Sequence, residues 1–214
     1  MNEVNAVNIT VKITVSTSQS SYHHGDLRAA LIEAGIAALE GANGDAPSLR
    51  ALAREVGVSP TAVYRHFPDK QALLDALGQE GLERLGTAQA LAMDRCTGNQ
   101  GEKFAESGRE YVRFALAHPA LFRLVFSLGD PDRFEMGQED RAGALLRSAT
   151  RALTGNDADA ERLALQAWAI AHGTAMLMLD GRIRAHEDEI RRLLNAETLF
   201  PRRRSQGIRS EESP

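Results

Sequence analysis

The 214-residue sequence contains one cysteine, Cys96, which excludes an internal disulfide framework and suits a reducing cytosol. No apolar run approaches the ~20 residues a helix needs to cross a bilayer, so no membrane partner is expected. The opening segment "MNEVNAVNITVKITVSTSQS" lacks the basic start and continuous apolar stretch of a secretory signal. Positive charge is not in excess either. Lys and Arg number 25 against 29 Asp and Glu, a net charge of −4, so there is no global basic footprint for nucleic acid. Catalytic motifs are missing as well: neither G-x-S-x-G nor the phosphate-cradling G-x-x-x-x-G-K occurs, and no histidines are paired at metal-ligand spacing. Asp157, Asp159 and Glu161 lack the central Gly and terminal Glu spacing of a Ca²⁺ loop and read as acids at a helix start. The expectation is a protein that is not an enzyme and needs no cofactor or metal.

What is there is helical. Residues 1–20 stand apart: Val7, Ile9, Val11, Ile13 and Val15 alternate with polar residues, a strand pattern with no partner segment. They read as a disordered arm, or as an edge that pairs with another chain. From Asp26 onward the period is helical, with Leu27, Leu31, Ala34 and Ala38 on one stripe. Ser48 caps a second helix whose inner face is Leu49, Leu52, Ala53 and Val56, and Gly57 stops it. Ser59 caps a third, with Pro60 at its favoured first position. Pro68 ends that one, and Asp69 caps a long fourth helix reaching about Cys96. Further helical patterns fall at roughly 102–117, 119–128, 136–153, 158–180 and 186–198, and the tail from residue 200 reads as disordered. The predicted fold is all-α, with a three-helix head (21–70) and a larger helical body (71–199), about nine helices in all.

Helices two and three, joined by a turn of three to four residues at Gly57, form a helix-turn-helix pattern. Val58, Val63 and Phe67 read as interior. The outer surface of helix three is left to Ser59, Pro60, Thr61, Ala62, Tyr64, Arg65 and His66, and a helix of this kind fits a major groove. Tyr64, Arg65 and His66 are not a catalytic cluster, because adjacent helical residues point about 100° apart.

The stretch "LRALAREVGVSPTAVYRHFPDKQALLDAL" resembles the DNA-binding domain of the TetR family of transcriptional regulators. Val58, Tyr64, His66, Phe67 and Lys70 stand at its most characteristic places, and the match runs from about residue 24 to 77. The resemblance implies base contacts from Pro60, Thr61 and Ala62, with Arg65 a further candidate, and phosphate contacts from Tyr64, His66 and Lys70. It places Arg50 where some members set an arginine on a guanine, while Ser48 offers a hydroxyl and a helix N-terminus to phosphate. The partners implied are a double-stranded DNA operator, a second copy of the chain as a homodimer, and an unknown small-molecule effector. Charge fits poorly: residues 21–70 carry five cationic side chains against six carboxylates. A helical adaptor whose head no longer binds DNA is the competing reading.

Such regulators read two half-sites as two-fold dimers, so the body should supply an interface. The segment "ERLALQAWAIAHGTAMLMLDG" is apolar nearly all round, which requires both faces to be covered. The expected partner-facing side is Ile170, Gly173 and Leu177, with Ile183, Ile190, Leu193 and Leu194 of the last helix; the opposite allocation stays open. An effector site is expected between the other face, Trp168, His172, Ala175, Met176 and Leu179, and the large apolar residues Phe114, Phe122 and Phe126. The spacing Trp168-x-x-x-His172-Gly173 resembles a C-terminal subclass of the same family known by its Trp, His and Gly, which implies a sensing and dimerising body.

Overall fold

A computed structural model describes residues 27–41, 45–127 and 140–196. The expectations for residues 1–20 and for the tail lie outside them. Among the described residues there are nine α-helices and no strand: α1 (Leu27–Gly41), α2 (Leu49–Val56), α3 (Pro60–His66), α4 (Lys70–Arg95), α5 (Gln100–Ala117), α6 (Pro119–Ser127), α7 (Arg141–Thr154), α8 (Asp157–Leu179) and α9 (Glu187–Leu193).

The punctuation read from the sequence acts through backbone hydrogen bonds. Ser48 Oγ accepts from the Ala51 amide, Ser59 Oγ from Ala62, and Asp69 Oδ1 from Ala72, each satisfying one donor left open in a first helical turn. Gly57 ends α2 with φ +75°, the left-handed conformation that a Cβ resists, and the Val58 amide returns to the Ala53 carbonyl at 2.9 Å. Leu49, Leu52, Ala53, Val63 and Phe67 are buried around this turn, and burial of Phe67 alone is worth about 1.5–3 kcal/mol.

The buried face of α1 is wider than expected. Leu27, Leu31, Ile32, Ile36 and Leu39 are buried, whereas Ala34 and Ala38 lie at the half-buried margin. The cause is that α1 packs on α2, α4 and α6 together, so its covered arc exceeds one stripe. The long α4 serves both ends of the molecule. Its first half buries Leu73, Ala76 and Leu77 and its second half Leu85 and Gln89, while α5, α6 and α7 all lie against it.

The last helix is shorter than predicted, ending at Leu193 instead of 198. The chain turns there because the Leu194 carbonyl accepts from Arg109 Nη1 of α5 at 2.8 Å, and its side chain is buried facing Gly108. Arg113 completes the attachment, pairing with Glu187 of α9 at 2.5 Å and with Glu106 at 2.7 Å. Helix α7 starts at Arg141, capped by Asp140, and residues 136–139 of its predicted span lie outside the described residues.

Glycine permits a close approach of α6 to α4. A Cβ at Gly81 of α4 would meet Val125 Cγ2 of α6 at 2.7 Å and Leu121 Cδ1 at 3.2 Å. Gly81→Ala should therefore lower stability by about 1–3 kcal/mol through overpacking. Gly41→Ala, which faces open space, should stay within about 0.5 kcal/mol. Urea unfolding of both variants checks this.

Candidate functional site

The exposed surface of the head follows from helical spacing on α3. Val63 and Phe67, four apart, point inward and are buried. Ala62 and His66, also four apart, lie half-buried on the flank. Pro60 and Tyr64 form one outward row and Thr61 and Arg65 the next, all four exposed, with Tyr64 showing 44% of its surface. Ser48, Arg50, Ser59 and Lys70 are exposed too. Ser48 and Ser59 accept helix N–H groups through Oγ, and each hydroxyl proton can still be donated to a phosphate.

Two features of this face were not singled out by sequence reasoning. The Arg28 guanidinium of α1 sits 5.5 Å from the centroid of the Phe67 ring, a cation–π arrangement that seats an exposed cation beside the end of α3. Only the fold brings residues 28 and 67 together. The second feature is the use of the head's acids. Glu33 pairs with Arg84 of α4, and Glu40 accepts from the backbone amides of Ala120 and Leu121 at the start of α6. Both carboxylates are engaged by the body, while the cations Arg28, Arg50, Arg54, Arg65 and Lys70 and the acids Asp45, Glu55 and Asp69 are exposed on the head.

The body holds a second cluster. Phe122 stacks on His172 at 5.5 Å between ring centroids, and Phe126 meets the same ring edge-on at 4.7 Å. The expected grouping of Phe122, Phe126, Trp168 and His172 is therefore present. Phe114 is buried and its ring lies 4.9 Å from that of His118, and Met176 packs half-buried on the core. The group that organises the cluster, Tyr111 of α5, was missed. Its hydroxyl lies 2.9 Å from His172 Nδ1 and 3.3 Å from Trp168 Nε1. An indole nitrogen only donates, so Tyr111 accepts from Trp168; where the Tyr111 proton goes to His172 Nδ1, the imidazole proton sits on Nε2. Burial pushes the Tyr111 hydroxyl well above its usual range and pushes His172 down, so both are neutral near pH 7.

Gln89 of α4 was also missed. Its amide donates to the carbonyl and hydroxyl of Ser107, at 3.2 and 3.1 Å, and its buried Oε1 has no hydrogen-bond partner among the described residues. A buried acceptor without a donor costs about 1–3 kcal/mol. Ser107 precedes Tyr111 on α5 by four residues, about one helical turn.

On α8 the outward face carries Leu165, Ile170 and Leu177, respectively 53%, 41% and 44% exposed, with open space beyond Gly173. Ile183 is half-buried against the core. Ile190 and Leu194, expected on the same face, are instead buried within the chain at 3% and 1% exposure, because Arg113 and Arg109 draw α9 and the turn after it onto α5. Leu193 is half-buried on that core.

Two family models match: "Bacterial regulatory proteins, tetR family" over residues 31–77, and "Tetracyclin repressor-like, C-terminal domain" over residues 104–198. The chain belongs to the TetR family. It is a transcription regulator with a helix-turn-helix head. Among solved structures it is similar to a protein of unknown function from Rhodococcus sp. RHA1, with 35% identity over 84% of this chain and 96% of that one and a TM-score of 0.68. A tetR-family transcriptional regulator from Streptomyces coelicolor shares 22% identity, covering 82% of this chain and 80% of that one, with a TM-score of 0.59. A TetR family transcription regulator from Marinobacter aquaeolei VT8 shares 18%, covering 82% and 95%, with a TM-score of 0.55. Those last two likenesses show the fold alone. No curated protein matches the chain.

The Tyr111–His172 bond has a consequence for stability. His172 is lowered by burial in the folded protein, so the unfolded chain takes up protons first as pH falls. The stability held by the neutral ring should be complete above pH ~6.5 and be lost as pH drops toward the folded-state value. Urea midpoints should therefore fall between pH 7 and pH 5, and His172→Phe should flatten that slope, since carboxylates titrate below this window.

Proposed function

We propose that this regulator binds a (pseudo)palindromic DNA operator as a homodimer, represses from it, and is released by a small, mostly apolar effector held in the body. The observation that carries the reading is the outward double row on α3, Pro60 and Tyr64 beside Thr61 and Arg65, flanked by exposed Arg50 and Lys70. Side chains at the start of a groove-docked helix meet base edges, so Pro60, Thr61 and Ala62 are the base-reading positions, with Arg65 beside them. Arg50 can give two bonds to guanine O6 and N7, worth about 1–3 kcal/mol of discrimination. Ser48, Ser59, Tyr64, His66, Lys70 and Arg28 take phosphates.

The partner-facing side of α8 is Leu165, Ile170, Gly173 and Leu177, three large apolar side chains left in water around a small residue that lets a second helix approach. The effector site is the Tyr111–Trp168–His172 cluster with Phe122 and Phe126 against it, in a body of the kind marked by its Trp, His and Gly. Its polar groups define what fits: His172 Nε2–H offers a donor, and Gln89 Oε1 calls for one. A neutral effector with a hydroxyl or amide suits that pair.

Fluorescence anisotropy with DNA from upstream of the gene, against a scrambled duplex, tests the reading. The native duplex should bind preferentially and salt-sensitively. Arg50→Ala or Thr61→Ala should erase the preference. Lys70→Ala should weaken both duplexes and reduce the salt slope by about 1.8, one phosphate contact of about 0.9 from each subunit. Equal binding of native and scrambled duplexes would favour an adaptor with an inactive head. Ile170→Asp together with Leu177→Asp should yield monomers in analytical ultracentrifugation and abolish operator binding, since one head reads one half-site.

A further inference from the structure

The N-terminus of α6 is held by a residue of the head, Glu40 of α1, 80 positions earlier in the chain. Seven helices, α2 to α5 and α7 to α9, are capped by the residue just before them: Ser48, Ser59, Asp69, Asn99, Asp140, Asn156 and His186. Helix α6 is not. Its first residue, Pro119, has no N–H, and the Phe122 amide returns to the His118 carbonyl at 2.9 Å. That leaves the amides of Ala120 and Leu121 as the open donors of the turn. Both go to one carboxylate: Glu40 Oε2 accepts from Ala120 at 3.2 Å and Oε1 from Leu121 at 3.0 Å. The His118 side chain, in the position where a local cap would stand, lies against Phe114 instead.

Glu40 is in the last turn of α1, the helix on which the helix-turn-helix pair is seated. At the next residue of α6 after Leu121, Phe122 stacks on His172 and meets Tyr111 edge-on at 5.4 Å. At Gly81 there is no space between α6 and α4 to absorb a displacement. Farther along, Arg123 of α6 pairs with Asp180, just past α8, at 2.8 Å. A nine-residue helix therefore touches the aromatic cluster on one side and grips the head by its end.

We propose that Glu40 is the positioning residue that couples the head to the body, by carrying the placement of α6 directly into α1. Closure of the aromatic cluster on an effector, or its opening, moves Phe122 and with it the two amides that Glu40 holds. A carboxylate suits this role because its charge favours a helix N-terminus and its two oxygens take two donors at once. This path runs beside α4, which is buried at one end in the head and at the other in the body. Its effect on operator release rests on the function proposed above, whereas its effect on the coupling of head to body does not.

Hydrogen exchange followed residue by residue tests the coupling without DNA or effector. In Glu40→Ala, the Ala120 and Leu121 amides and those of α1, α2 and α3 should exchange about tenfold faster, the scale of a lost cap, while α5 and α8 keep their protection. Glu40→Gln, which retains one acceptor, should fall between Glu40→Ala and the wild type. Glu33→Ala is the control. It removes an acid from the same helix and an exposed ion pair to Arg84, and should leave exchange in the head unchanged. Faster exchange confined to the first turn of α6 would overturn the proposal, as would equal acceleration in every helix or the same result from Glu33→Ala. Operator anisotropy on the same proteins should show severalfold weaker binding for Glu40→Ala alone. A wild type that binds no operator would remove the regulatory reading and leave the exchange result to decide the coupling.

Discussion

Helix α4 is the member on which the rest of the structure depends. It is 26 residues long and belongs to two cores at once, giving Leu73, Ala76 and Leu77 to the head and Leu85 and Gln89 to the body. A close-packed interior resists partial shifts, so a continuous helix shared by two cores fixes the direction in which the head can face. Gly81 strengthens the constraint by letting α6 lie against α4 without an intervening side chain. The head is thus small but not independent. Its three helices close over Phe67 and Val63 and then lean on α4 and α6.

Part of the head's acidic charge is turned toward the body in this arrangement. A net excess of acid over residues 21–70 argues against a nucleic-acid surface when charges are summed along the chain. Coulomb interactions depend on distance, and at physiological salt they fade beyond about 8 Å. Glu33 and Glu40 are engaged with the body, whereas Asp45, Glu55 and Asp69 stay exposed on the head with Arg50, Arg65 and Lys70. Arg28 joins that set through its seat over Phe67.

The body shows how one helix serves two purposes. Along α8 the inward rows bury Ala164, Ala167, Ala171, Ala175 and Met178, small residues for the most part that bring α5 and α7 close. Trp168 and His172 flank them and reach Tyr111, while Leu165, Ile170 and Leu177 face away. The same apolar composition therefore supplies a core, a polar-tipped aromatic cluster and an uncovered face.

Much of this was legible in the sequence, because local chemistry decides helix ends and helical faces. Ser48, Ser59, Asp69, Gly57 and Pro60 act through neighbours within four residues, and each stands where the sequence placed it. The division of α3 into buried Val63 and Phe67 and exposed Thr61 and Arg65 follows from the same spacing. Apart from the grouping of Phe122 and Phe126 with Trp168 and His172, contacts between distant segments were not legible. Tyr111 with His172, Gln89 with Ser107, Arg28 over Phe67, and Leu194 drawn inward by Arg109 join residues 18 to 85 positions apart. Nothing in a helical period specifies which stripe of one helix meets which stripe of another. The sequence by itself determined an all-α chain with a helix-turn-helix head and the side chains that head presents. Only the tertiary structure decided that Glu40 holds α6, that α9 belongs to the core, and which face of α8 is left uncovered, because those outcomes depend on how whole helices compete for the same buried space.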